Sequence, residues 1–246
     1  MRFIFHLFPC RFSLVLILLP SCLYAQKNQP SVQLTGAMRN VMWKGELAGL
    51  IRLDTISPSD HLYGIGPMEG LRGEILVFDG IPYISRVVDG VRMKVDINSG
   101  ISAPFFAHAR IPGWQEVVLP DSIRDLSGLE KFLDKLREND DRPTLFRLKG
   151  HFHTADIHVV DLPEGTIVRS PDDAHRGLRR YVSSGGLKAD VLGFYSRRHK
   201  SIFTHHDTNI HLHLIDDSRQ WMGHVDTLGF DAGQVTLMLP VMDTLK

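Results

Sequence analysis

Two Asp-Gly pairs constrain this chain more tightly than any other feature. Glu74-Ile-Leu-Val-Phe78 runs into Asp79-Gly80, residues 81–88 run into Asp89-Gly90, and residues 91–95 follow. Gly accepts the positive φ of a type I′ turn, so each pair predicts a tight antiparallel hairpin and the three runs a meander. Pro82 lacks an N–H, which predicts a bulge or a non-donating position in the middle run. Residues 145–148, 156–160, 190–195, 209–215, 223–228 and 234–239 also read as strands. Helices are few. Met38, Val41 and Met42 fall at helical spacing before Gly45, and Ser127-Gly-Leu-Glu130 reads as a capping box. Leu129, Phe132, Leu133 and Leu136 then extend a helix over 127–139. The segment 139–143 is the expected hinge. The fold class is therefore α+β: two β-rich lobes, 26–143 and 144–246, with mixed or antiparallel sheets.

The first 25 residues stand apart. Arg2 and Arg11 precede the apolar run 12–20, and Ala25 precedes a polar stretch, which predicts a secretory signal peptide cleaved after Ala25. Leu19-Pro-Ser-Cys22 offers lipid attachment at Cys22 as the alternative. Either route places the chain outside the cytoplasm, secreted or periplasmic. No later apolar stretch reaches the roughly 18 residues of a membrane span. Both cysteines, Cys10 and Cys22, lie in this leader, so the cleaved chain has neither disulfides nor thiolate ligands. Lys+Arg and Asp+Glu balance at 28 each, with no basic run, which argues against a nucleic-acid partner.

Histidine is where the chemistry concentrates. Of 13, ten lie between His151 and His224. In Asn209-Ile-His211-Leu-His213-Leu, alternation places both imidazoles on one strand face and the aliphatics on the other. The polar stretch 216–220 predicts a hairpin near Ser218 and Arg219 that returns His224 opposite His213. Three neutral imidazoles on two paired strands suit Zn²⁺ and leave coordination positions open, as in catalytic sites. Asp226 is the expected acceptor for a ligand N–H. His205-His206-Asp207 reads as a rim feature, and His151 and His153 as surface or pocket-lining residues. A cupin would need a Glu ligand soon after His-x-His, and residues 216–222 contain none.

At this hairpin the sequence resembles the acetolactate decarboxylase family. Gly64-Ile-Gly66 looks like its glycine turn, and Leu71-Arg-Gly-Glu74 with Gly80 and Tyr83 like its Gly-Glu stretch. Ala103-Pro-Phe105, Gly150-His-Phe152 and Val191-Leu-Gly193-Phe194 are similar to further family elements in the same order. His211, His213 and His224 are spaced like its zinc triad. The resemblance implies two β-rich lobes around a zinc site and conversion of 2-acetolactate, or a related 2-hydroxy-3-oxo acid, to acetoin and CO₂. By it Glu74 matches the family's active-site glutamate, whereas the residue alone reads as an exposed strand-start carboxylate.

Three positions depart from the family pattern. Where it has an arginine six residues after the Phe of Gly-x-Phe, this chain has His158, which can carry a proton but cannot clamp a carboxylate bidentately. No Glu follows Glu164, where the family uses one in its C-terminal tail, and Pro67-Met68 replaces Thr-Phe. Glu74 and His158 are thus the expected catalytic residues, with Zn²⁺ on His211, His213 and His224. The partner is a small keto or hydroxy acid, with a homodimer as one option. A secreted metal- or ligand-binding relative without activity is the alternative.

Overall fold

The computed structural model describes residues 30–57 and 59–241; the proposed signal peptide and both cysteines lie outside them. The strands of the first half are β1 (Gln33–Thr35), β2 (Ile51–Arg52), β3 (Leu62–Pro67), β4 (Glu74–Phe78), β5 (Ile81–Val88), β6 (Arg92–Ile97), β7 (Ser102–Ala103) and β8 (Phe106–Arg110). Then come β9 (Trp114–Val117), β10 (Thr144–Val160), β11 (Leu178–Ser183), β12 (Leu187–Tyr195), β13 (Ile210–Asp216) and β14 (Met222–Pro240). The α-helices are α1 (Met38–Lys44), α2 (Leu126–Leu136) and α3 (Pro171–His175). No helix among the described residues is long and apolar enough to cross a membrane. The chain is β-rich with few helices, as expected.

One six-stranded sheet runs β1-β8-β3-β4-β5-β6, and every pairing in it is antiparallel. Its centre is the predicted meander. Asp79 and Gly80 have φ of 50° and 81°, and Asp89 and Gly90 have 54° and 70°, the positive values of type I′ turns. Pro82 causes no bulge. It pairs with Val77 in unbroken register, and its carbonyl still accepts from the Asn98 N–H. Gly64-Ile-Gly66 is not a turn but the buried middle of β3. A Cβ on Gly64 would lie 2.6 Å from the Phe106 ring, so the glycine makes room for that ring.

The other sheet runs β11-β10-β12-β13-β14-β9, with β10 also paired to β14. That extra ladder closes β10, β12, β13 and β14 into a ring. Strands expected as separate pieces are joined here into two long ones of 17 and 19 residues. They bend through register shifts between Gly150 and Phe152, Phe152 and Thr154, and Asp156 and Ile157. Inside the ring, Phe146, Leu148, Phe152, Val191, Leu212, Leu214, Val225 and Phe230 pack with Leu129 and Leu133 of α2. On its outer face Leu192, Phe194, Ile215 and Met222 pack against Tyr63, Ile65, Leu76 and Phe78 of the first sheet.

Helix α2 starts differently from the capping-box reading. Its N-cap is Asp125, whose side chain accepts from the Gly128 N–H, and the helix ends at Leu136. Glu130 is thereby free of any capping duty and accepts from the Asn209 N–H at 2.8 Å, tying α2 to the start of β13.

Gly150 is the position the ring tolerates least. Its φ is +155°, and a Cβ there would lie 2.1 Å from the Gln234 carbonyl oxygen across the β10–β14 ladder. Gly150→Ala should destabilise the protein by about 1–3 kcal/mol or more. Gly185→Ala, with nothing within 4 Å of its added Cβ, should stay within about 0.5 kcal/mol. Urea titration of the three proteins checks this through the midpoint.

Candidate metal centre

The ladder that closes the ring also aligns the histidines. His213 of β13 pairs directly with His224 of β14, as the hairpin reading requires, and His224 pairs on its other side with His158 of β10. Residues directly opposite in antiparallel strands share a face, so these three imidazoles form a row across three strands. His211, two residues before His213, joins the same outer face, while Leu212 and Leu214 point into the ring. Asp216 holds the connecting turn by accepting from the Gln220 and Trp221 amides at 2.9 and 2.8 Å.

His211, His213 and His224 each present a ring nitrogen, and these atoms all lie within 4.8 Å of one another. Their ring centroids are 4.8–5.6 Å apart. All three side chains are buried, His213 completely. His211 Nδ1 donates to the Phe203 carbonyl at 2.6 Å, which leaves Nε2 as its lone-pair nitrogen. Neither ring nitrogen of His213 has a hydrogen-bond partner at ordinary distance, the Ile75 backbone acting only as a longer contact that raises its pKa against the burial. An unpaired buried polar group costs roughly 1–3 kcal/mol, and a bound cation would satisfy it.

Burial drives all three imidazoles toward the neutral form. Desolvation pushes His213 down to about 3, with the neighbouring His158 acting in the same direction. His211 and His224 are held well below the usual imidazole range, first by desolvation and then by adjacent histidines. Neutral imidazole is the metal-ligating form. The residues present therefore fit a divalent ion.

The remaining expected residues surround this set. Glu74 is only 4% exposed, not the exposed strand-start carboxylate that it suggests in isolation. Its Oε1 accepts from the Val160 N–H at 3.2 Å, and its Oε2 lies 3.7 Å from His213 Nε2. Burial raises its pKa well above the usual carboxylate range; the Val160 hydrogen bond opposes this and the Asp226 charge adds to it. His158 stacks on His224 at 4.5 Å between centroids, and its Nδ1 lies 2.8 Å from Asp226 Oδ1. Asp226 thus serves His158 rather than one of the three clustered imidazoles. His158, His224 and Asp226 also form a second cluster with metal-ligand spacing.

His205 is more than a rim residue. Its Nε2 lies 3.1 Å from His224 Nε2, whereas the adjacent His206 is exposed. Nothing in a loop without periodicity signals this approach. His151 reaches only Gln234 at the surface. Two cavities meet at the histidines. One, of about 360 Å³, is lined by Ser127, Glu130, Asp207 and Asp226. The other, of about 50 Å³, is lined by Met38, Met42, Leu71, Phe105, Glu74 and His158. His205, His211 and His224 line both. A larger cavity, of about 660 Å³, lies away from this chemistry beside Arg52, Arg72, Arg86 and Lys94.

Residues 37–246 match the family model for alpha-acetolactate decarboxylase. The chain belongs to that family. The alpha-acetolactate decarboxylase of Methanosarcina mazei is 26% identical over 175 residues, 71% of this chain, and the chain spans 58% of that relative's length. The acetolactate decarboxylase of Bacillus subtilis subspecies spizizenii superposes with a TM-score of 0.69 at 20% identity, covering 85% of both chains. A Staphylococcus aureus protein of unknown function, described as similar to alpha-acetolactate decarboxylase, gives 0.68 at 15% identity, covering 87% of this chain and 86% of its own. At these identities the solved structures establish the acetolactate decarboxylase fold.

The depressed imidazoles make a sign-definite prediction for the metal-free protein. Each has a folded pKa below its unfolded value, so below about pH 6.5 the unfolded chain binds protons that the folded chain refuses. Their contribution is complete above that pH and is lost as pH falls, continuing toward pH 3 for His213. Glu74, with its raised pKa, acts in the opposite sense as one carboxyl against three imidazoles. The urea midpoint of metal-free protein should therefore fall between pH 7 and pH 5. It should fall less in a His211→Phe variant, which removes one of the three.

Proposed function

We propose that this chain is a zinc-dependent carboxy-lyase that converts 2-acetolactate, or a related 2-hydroxy-3-oxo acid, to acetoin and CO₂. The observation that carries the reading is the convergence of three buried neutral imidazoles with Glu74 and a His158–Asp226 pair, with His211, His224, Glu74 and His158 lining one cavity. Held by His211, His213 and His224, Zn²⁺ would supply Lewis acidity toward the substrate's keto and hydroxyl oxygens and a sink for the electrons left by departing CO₂.

The chain's own residues handle the protons. Loss of CO₂ breaks the bond between the carboxyl carbon and C2, and a proton must then reach C2 on one face. Asp226 accepts from His158 Nδ1–H and so fixes the tautomer, leaving Nε2 to exchange a proton with the substrate. Burial biases Glu74 toward its protonated form, so its carboxyl is a second candidate donor. Its fixed hydrogen bond from Val160 holds it beside His213. Met38, Leu71 and Phe105 form a dry wall that limits stray proton exchange with water. Position 158 carries no guanidinium for the substrate carboxylate. Arg180 of β11 stands directly across the ladder from His158, but it is ion-paired with Asp156.

That imidazole at position 158 is also the observation favouring a second reading, a metal-binding relative without turnover. Acetoin formation by the zinc-loaded full chain separates the two. The decarboxylase reading expects turnover, and His158→Ala should lower kcat by roughly 10²–10⁴-fold. Normal turnover in His158→Ala would move the donor role to Glu74. A wild-type chain that binds zinc and forms no acetoin would leave only the binding role.

A further inference from the structure

His205 is the one histidine at the centre that neither the proton handling nor the three-imidazole set uses. We infer that His205 supplies a fourth imidazole to the ion held by His211, His213 and His224, an assignment that rests on the zinc reading above. Its Nε2 lies 3.1 Å from His224 Nε2, and its ring centroid lies 4.9 Å from that of His224 and 6.0 Å from that of His211. Two imidazole nitrogens at that separation either share one proton or face a common cation. Around a tetrahedral ion with Zn–N of 2.0–2.1 Å, ligand nitrogens stand about 3.3 Å apart, so the observed spacing is close to one edge of such a shell. Closing toward His211 and His213 takes a side-chain rotation, because His205 meets the set through His224.

The loop that carries His205 is anchored where this requires. The amides of Met38 and Arg39, at the start of α1, donate to the carbonyls of Ile202 and Ser201 at 2.7 and 2.8 Å. The next carbonyl, that of Phe203, accepts from His211 Nδ1. The same five-residue stretch therefore fixes the ring orientation of one ligand and delivers His205 to another. His205 is partly buried, with its Nε2 turned toward His224 rather than toward solvent. Its neighbours His206 and Asp207 are exposed. Four imidazoles close the resting shell, and His205 lines both cavities. Substrate oxygens must then displace His205 or expand the coordination number.

X-ray absorption of the Zn²⁺-loaded full chain counts the imidazoles, and competition with a chromophoric chelator measures affinity. The wild type should show four imidazole ligands. His205→Ala and the volume-preserving His205→Phe should show three, with zinc affinity reduced by at least the 10–100-fold typical of lost ligand support. His206→Ala should change neither quantity. Three imidazoles in both wild type and the His205 variants overturn the assignment, whatever the affinity does. If His213→Ala binds zinc as tightly as wild type, the three-histidine reading itself fails, a result distinct from failure at His205 alone.

Discussion

The ladder between β10 and β14 is the interaction on which the rest of the molecule depends. It pairs residues from Arg147 with Met238 through His158 with His224, and it turns an open sheet into a ring. A closed ring has an inside that aliphatic side chains and the apolar face of α2 can fill. Its outer face must be covered by something else, here the first sheet. Polar groups on that outer face are consequently buried at a sheet-to-sheet boundary rather than solvated. The histidines lie on this boundary, with Glu74 reaching them from the first strand after the glycine at position 73. Without the β10–β14 pairing, His158 and Asp226 would not meet, and His224 would have a histidine on one side only.

Burial at that boundary has one electrostatic consequence. Imidazolium ions packed 5 Å apart in a dry interior repel strongly and lose hydration, so the cluster is neutral and rich in lone pairs. The arrangement is thereby prepared for a cation and hostile to protons. The same dryness raises the pKa of Glu74, so the centre juxtaposes lone pairs that could hold a metal with a carboxyl biased toward holding a proton. That pairing of opposite tendencies within a few ångströms is what a reaction that sheds CO₂ and then takes up H⁺ requires.

Much of this was legible in the residues. The Asp-Gly turns declared their hairpins because positive φ at two successive positions admits few alternatives. Alternation from Ile210 to Leu214 declared which side chains share a face, because the strand period is two, and the polar turn set the register of His213 with His224. Other features depended on tertiary contacts. Short apolar runs on either side of Gly150 and of residues 229–233 read as separate strands, because a bend through a bulge looks locally like a break. Ser127 and Asp125 are both good caps, and it is the Asp125 side chain that accepts from a first-turn amide, that of Gly128. Gly64 and Gly66 read as a turn because glycine is ambiguous between flexibility and lack of bulk; here the Phe106 ring needs the space. The approach of His205 to His224 had no sequence signature, since a loop's path is set by where its carbonyls find donors.

The central claim is that this ring face holds one metal ion on His211, His213 and His224. Anomalous diffraction at the zinc edge from crystals of the zinc-loaded protein tests it most directly. The account predicts a single strong peak about 2.0–2.1 Å from a ring nitrogen of each of those three histidines. A peak among His158, His224 and Asp226 instead, or no peak in zinc-loaded crystals, would contradict it.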